Sequence, residues 1–307
     1  MYFKISITFS KQQGWRFMAE EMVTQAKKPI NIRKIFSEKN PKLARLMPGF
    51  VYGFINRILH VNFLNNIFVQ YGHLHGIDFV NKAVQEFNVK EIIYGLENVP
   101  SSGHYIFAAN HPLGGFDALL LMKYVNQKLG ALKFLTNDVL MAIPNLSEMF
   151  IPINKHGSNS REAARLLNET YNSDCQILIF PSGLASRKIK GAVVDLEWKK
   201  HFISKAIKYQ RDVIPVYIHG RNSNRFYNVA NLRKLMRINW NLEMFLLPGE
   251  SLKHKNKEIP IYFGQPISWE TFDKSKTHDE WAQWVKNKVY KLPLGFEKKI
   301  KNDKKEV

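Results

Sequence analysis

His111 and Asp117 stand six positions apart in "AANHPLGGFDALLL" (108–121). An imidazole and a carboxylate are the pair that general-base chemistry needs. The carboxylate fixes the ring tautomer and raises the basicity of the other nitrogen, which can then deprotonate a hydroxyl or an amine. On one continuous helix a six-residue offset would put the two side chains on opposite sides. Pro112, Gly114 and Gly115 argue against that helix. The apolar run Tyr105 to Ala109 comes before, and Ala118 to Met122 comes after. His111 therefore reads as the end of a buried strand and Asp117 as the start of a helix. The turn between them can fold the carboxylate back onto the imidazole. N–H groups at a helix start also suit an anion or a developing oxyanion. The competing reading makes Asp117 a helix cap and His111 an ordinary turn residue.

Three further segments end an apolar run in polar or cationic groups. "ILIFPSGLASRK" (177–188) leads into Ser182, Gly183, Arg187 and Lys188. "VIPVYIHGRNSNRFY" (213–227) leads into Arg221, Asn222 and Ser223. "FIPINKHGSNSRE" (150–162) leads into Asn154 and Lys155. Pro/Gly loops followed by cations suit a phosphate or a carboxylate. Were the four strand ends to converge, they would form one basic pocket around His111, since ligands in open α/β sheets gather at the carboxyl ends of strands.

The elements that must position these groups follow from periodicity. Short apolar runs at 105–110, 131–136, 149–154, 176–180, 212–218 and 259–264 read as strands. Segments 117–127, 161–172 and 196–210 read as helices between them, the last with Leu196, Phe202, Ile203, Ala206 and Ile207 inward. That alternation predicts an α/β fold with a mixed, mostly parallel sheet flanked by helices. Residues 22–88 read as an N-terminal helical segment. Within it Leu43, Leu46, Phe50, Phe54, Ile58 and Leu59 repeat near 3.6, and Lys42, Arg45 and Arg57 make it basic, as suits a membrane interface. The α/β domain is expected over 89–272, and a C-terminal helix with a charged, frayed tail over 273–307. Residues 1–21 read as an extension outside the core, because Met22 opens a second plausible start.

The chain has 307 residues, 45% of them hydrophobic, enough for a sizeable core. Lys and Arg number 45 against 26 Asp and Glu, a net +19 that favours acidic partners. A single cysteine, Cys175, rules out an internal disulfide and fits a reducing, cytoplasmic setting. No apolar run approaches the roughly 18 residues of a membrane-spanning helix. No His/Cys/Asp spacing resembles a metal site, and there is neither a nucleophile elbow nor a Walker-type loop. A basic protein binding nucleic acid or membrane without catalysis would explain the charge, but not the strand-end motifs. Aromatic and basic residues are not interleaved as in nucleic-acid modules. A hydrolase acting on a lipid ester would need the missing elbow.

Taken in order, "GLENVPSSG", "NHPLGGFD", "FIPINKHG", "FPSGLASR", "HGRNSNRFY" and "FGQPI" resemble the glycerolipid (lysophosphatidate-type) acyltransferase superfamily. The closer resemblance is to its hemolysin-like branch, which holds the N-acyltransferases of ornithine and glycine lipids. It covers roughly residues 70–272. The resemblance implies an enzyme of membrane-lipid biosynthesis that needs no cofactor. It would move a fatty acyl group from acyl carrier protein or acyl-coenzyme A to an amine or hydroxyl, working peripherally on the inner, anionic face of the cell membrane. His111 would be the base and Asp117 its orienting partner. The turn through Gly114 and Gly115 would help hold the oxyanion. Arg187 and Arg221 would bind the acceptor's anionic group or the donor's phosphopantetheine, with Asn110 and Asn154 in support. Two departures stand out. Five residues separate the His and Asp where the family has four, and Ser182 replaces the glutamate of Phe-Pro-Glu-Gly. That glutamate is associated with a glycerol-phosphate acceptor, so its loss leaves room for an amino-acid or lyso-lipid acceptor.

Overall fold

In a computed structural model, residues 30–39, 41–136, 143–152, 160–237 and 241–303 are described. The expected extension at 1–21, as well as Asn154 and Lys155, lies outside them. Strands are β1 (Lys90–Tyr94), β2 (Ile106–Ala109), β3 (Leu132–Thr136), β4 (Phe150–Pro152), β5 (Gln176–Ile179), β6 (Arg187–Ile189), β7 (Ala192–Val194), β8 (Val213–Ile218) and β9 (Glu258–Phe263). Helices are α1 (Ile32–Lys39), α2 (Pro41–Leu46), α3 (Gly49–Ile58), α4 (Val61–Tyr71), α5 (Gly76–Phe87), α6 (Gly115–Leu129), α7 (Ser160–Asn172), α8 (His201–Tyr209), α9 (Asn224–Leu235), α10 (Leu247–Leu252) and α11 (His278–Asp303).

Seven strands form one sheet in the order β1-β9-β8-β2-β5-β3-β4. Every neighbouring pair is parallel except β8 with β9, which run antiparallel through Tyr217 opposite Tyr262. The mixed, mostly parallel sheet expected from the alternation is therefore present. Strands β8, β2, β5, β3 and β4 share one direction, so their carboxyl ends lie along one edge. β2 is central and wholly buried. Its residues alternate between faces, as the two-residue period of a strand requires. Phe107 and Ala109 join Phe116, Leu120, Leu121 and Val125 of α6 in one core, whereas Ile106 and Ala108 join Trp198, Phe202 of α8 and Trp281, Val285 of α11 in another. Each large apolar side chain so buried stabilises the fold by about 1.5–3 kcal/mol. The placement of α6, and with it Asp117, is thus secured by far more than the bonds in its first turn.

Several elements differ from the sequence reading. The helix expected from 196 begins at His201, and the residues before it are bound elsewhere: Lys199 N–H donates to the Pro181 carbonyl, and Trp198 Nε1–H donates to Asp195. The periodic stretch at 40–60 is two helices, α2 and α3, split at Pro48, which lacks an N–H and disfavours helix in the residue before it. The hairpin β6–β7 turns through Lys190 and Gly191, both at positive φ, as a two-residue type I′ turn requires. At the C-terminus the helix backbone continues through Pro293 to Asp303, where a frayed tail was expected from 297.

Candidate active site

The turn after β2 brings His111 and Asp117 together: imidazole Nδ1 lies 2.9 Å from Asp117 Oδ2. The same carboxylate oxygen accepts the N–H of Leu113 at 2.8 Å and of Gly114 at 3.1 Å. Asp117 therefore caps its own helix and contacts the imidazole with one atom, so the cap and the His111–Asp117 pairing coexist. Gly114 makes this turn feasible. It sits at φ 83°, ψ −134°, conformational space open essentially to glycine. A β-carbon there would lie 2.7 Å from Leu247.

Asp117 is fully buried and the His111 side chain is 14% exposed. Burial pushes the Asp117 carboxyl above the usual carboxylate range, against the bonds from His111 and Leu113 that favour its charge. A proton on Asp117 would have a poor home: Oδ2 already accepts three donors, and Oδ1 meets no partner among the described residues. An acceptor-only carboxylate requires the imidazole to carry its proton on Nδ1, leaving Nε2 with a free lone pair. The ring stacks on Phe180, at the end of β5, with centroids 4.0 Å apart and planes 18° off parallel.

The main chain of His111 is also held. Its N–H donates to Asp195 Oδ1 at 3.2 Å, and its carbonyl accepts the Ser186 N–H at 2.7 Å. Asp195 carried no motif signal in the sequence. Because β8, β2 and β5 are neighbours, the loops 110–117, 180–187 and 218–223 converge, as the strand-end motifs suggested. Their side chains sort into two groups. Asn110 bridges β2 to β8, donating to the Ile218 carbonyl and accepting the Ile218 N–H. Asn222 donates to the Pro112 carbonyl at 3.1 Å. Ser182 donates to the Leu184 carbonyl, and Ser223 caps α9 and donates to Glu250. These four build the site's walls and keep their polar atoms within the protein. Gly115, Gly183 and Arg221 remain exposed at the edge.

Two expectations need correction. Arg187 does not line a basic pocket. Its guanidinium turns inward to Glu243 Oε1 at 2.7 Å, and Arg233 binds the other oxygen of Glu243 at 2.9 Å. The Arg187 and Glu243 side chains are 9% and 0% exposed, and the buried pair locks β6 to the turn before α10. A buried carboxylate needs such partners, and Glu243 lies too far along the chain for a local pattern to announce it. Secondly, the Leu113 and Gly114 N–H groups are not open to an oxyanion, since Asp117 takes both.

The acyltransferase family matches residues 34–297 of the chain. The chain belongs to this family. The enzyme is 40% identical over 264 residues to a lyso-glycine lipid O-acyltransferase of Bacteroides thetaiotaomicron, an alignment covering 86% of this chain and 97% of the relative. It is 42% identical over 267 residues to a lyso-glycine lipid O-acyltransferase of Phocaeicola vulgatus, covering 86% and 95%. Among solved structures, the 1-acyl-sn-glycerophosphate (LPA) acyltransferase of Thermotoga maritima superposes with a TM-score of 0.44 and 18% identity, over 79% of this chain and 89% of that one. By its family and these two relatives, the protein is an acyltransferase. Among the described residues no cluster of His, Cys, Asp or Glu is arranged to hold a metal ion.

Proposed function

We propose that this acyltransferase esterifies the hydroxyl of a lyso-amino-acid lipid of the glycine type, using a fatty acyl thioester as donor. One observation carries the mechanism: a solvent-edged imidazole at the end of β2, bound through Nδ1 to a buried carboxylate. His111 Nε2 accepts the proton of the acceptor hydroxyl as its oxygen attacks the thioester carbonyl. Asp117 stabilises the imidazolium that forms. The tetrahedral intermediate collapses with loss of the thiolate, which takes the proton back from His111. The products are the O-acyl lipid and a free thiol of acyl carrier protein or coenzyme A. The oxyanion contact falls to the Gly115 N–H, a first-turn group with no acceptor inside the helix. Arg221, exposed beside the dyad loop, is the cation for an anionic group of acceptor or donor.

The names of the relatives favour a hydroxyl over an amine as the acceptor. A glycine-type headgroup also accords with Ser182 in place of the glutamate associated with glycerol-phosphate acceptors. No helix among the described residues is long and apolar enough to cross a membrane. Leu46, Phe50 and Phe54 are 79%, 77% and 59% exposed, with Arg45 and Arg57 on the same helices. This surface supports peripheral docking on the anionic cytoplasmic leaflet.

The test is acyl transfer from labelled acyl carrier protein and acyl-coenzyme A to lyso-glycine lipid and to lysophosphatidate. Ester formation on lyso-glycine lipid, lost in His111→Ala, is the expected result. Preference for lysophosphatidate would reject the acceptor, and an active His111→Ala would reject the base.

A further inference from the structure

Asp195 sits in the segment between β7 and α8, 84 residues from His111, and is 1% exposed. Three donors converge on its carboxylate. Oδ1 accepts the His111 N–H at 3.2 Å and the Ser186 hydroxyl at 2.6 Å, and Oδ2 accepts the Trp198 indole N–H at 2.9 Å. Its own main chain is tied to α11: its N–H donates to Tyr290 Oη at 2.8 Å, and its carbonyl accepts Lys286 Nζ at 2.8 Å. No side-chain ion pair is formed with Asp195 among the described residues. Two buried carboxylates thus bracket one histidine, Asp117 from the ring side and Asp195 from the main-chain side.

We propose that Asp195 is a positioning residue for acyl transfer: it clamps the main chain of His111 from behind the strand end, so that the imidazole meets Asp117 and the acceptor in register. The inference rests on His111 being the base. A single bond from Asp117 to Nδ1 fixes the ring's tautomer and one contact point, but leaves the backbone from which the ring swings to be fixed elsewhere. Asp195 and Ser186 supply that, binding His111 through N–H and C=O respectively. A carboxylate 1% exposed is an expensive group with which to hold two loops together, and it is kept here against three donors. Its negative charge is also felt at the dyad, where it adds to the effect of burial on the Asp117 carboxyl.

The deciding experiment compares Asp195→Asn with the parent and with His111→Ala in the acyl-transfer assay. Asparagine keeps an acceptor for the His111 N–H but removes the charge and sets an amide against the Trp198 N–H. A catalytic group displaced by a fraction of an ångström to one ångström loses up to about 10²-fold in rate. The expected result is a fall in kcat of roughly tenfold or more, with KM for both substrates near the parent's, in a variant that stays folded with a lowered unfolding midpoint. In ¹⁵N-histidine-labelled protein, the low-field Nδ1 proton of His111, assigned by its absence in His111→Gln, should move or broaden in Asp195→Asn. A purely structural role would leave that resonance and kcat unchanged in the folded variant. A folded Asp195→Asn with parental kcat, beside an inactive His111→Ala, overturns this proposal alone. An active His111→Ala overturns the underlying dyad instead. Should Asp195→Asn fail to fold, Asp195→Glu decides, since it keeps the charge and an acceptor but shifts the carboxylate by one methylene against the His111 N–H. Lower kcat at unchanged KM supports the clamp, and parental kcat refutes it.

Discussion

Replacing Asp117 with asparagine isolates what the carboxylate charge does at this site. The amide has one favourable orientation. Its oxygen must take the Oδ2 position, because the Leu113 and Gly114 N–H groups point there at 2.8 and 3.1 Å and would meet a second donor otherwise. The His111 Nδ1–H then still finds an acceptor, so the tautomer survives and only the charge is lost. A hydrogen bond to a charged acceptor is worth about 1 kcal/mol more than a neutral one. An imidazolium roughly 4 Å from a carboxylate gains about 4 kcal/mol at an effective dielectric of about 20. Only part of that charge has developed in the transition state. A loss of about 2–4 kcal/mol follows, or roughly 30- to 10³-fold in kcat. His111→Ala removes the base itself and should fall further. Stability should change little. The raised carboxyl pKa means that ionised Asp117 costs the fold free energy at neutral pH, a cost relieved as pH falls through the folded value. The neutral amide removes that cost but buries an NH₂ where Oδ1 has no partner. Single-turnover transfer from a labelled thioester, read beside thermal unfolding, measures both quantities. Parental kcat in Asp117→Asn, or a loss as complete as in His111→Ala, would refute this account of the charge.

Other perturbations have equally definite outcomes. Gly114→Ala puts a β-carbon at φ 83° and 2.7 Å from Leu247, and should cost about 1–3 kcal/mol from backbone strain alone, read by denaturant titration. Glu243→Gln strips the buried partner from Arg187 and Arg233 and should destabilise by about 3–5 kcal/mol; a stable variant would show that the triad is dispensable. His254 and His201 are held below the usual histidine value of 6.5, chiefly by burial, with Lys257 and Lys205 adding to it. The unfolded chain takes up these protons first, so stability should fall as pH drops below about 6.5, by at most about 1.4 kcal/mol per pH unit for each histidine. His254→Gln should flatten that slope in denaturation midpoints measured from pH 7 to 5. Phe50→Glu should weaken sedimentation with anionic vesicles while leaving turnover of detergent-dispersed substrate near parental, and unchanged vesicle binding would exclude α3 as the docking face.

The sequence by itself determined the alternation of strands and helices, the turn at 111–117 and the polar strand ends. These are local properties: side-chain period, the backbone freedom of Gly114, and the helix start at Asp117. They pointed to a contact between His111 and Asp117, only six residues apart, but left the helix-cap reading open beside it. What only tertiary structure decided was strand adjacency and the fate of each long side chain. β8 and β5 flank β2, although neither adjoins it in sequence, and that order alone brings Asn222 onto Pro112 and Phe180 onto His111. Arg187 looked like a ligand-binding cation because its neighbours are turn residues, yet a carboxylate 56 residues away draws it inward. Asp195 looked like nothing in "AVVDLEW", because a lone acid between a strand and a helix has no local signature. Its importance comes from three donors that the fold delivers from 3, 9 and 84 residues away. A buried charge is tolerated only where distant groups meet it, so residues of this kind are legible only once the chain is folded.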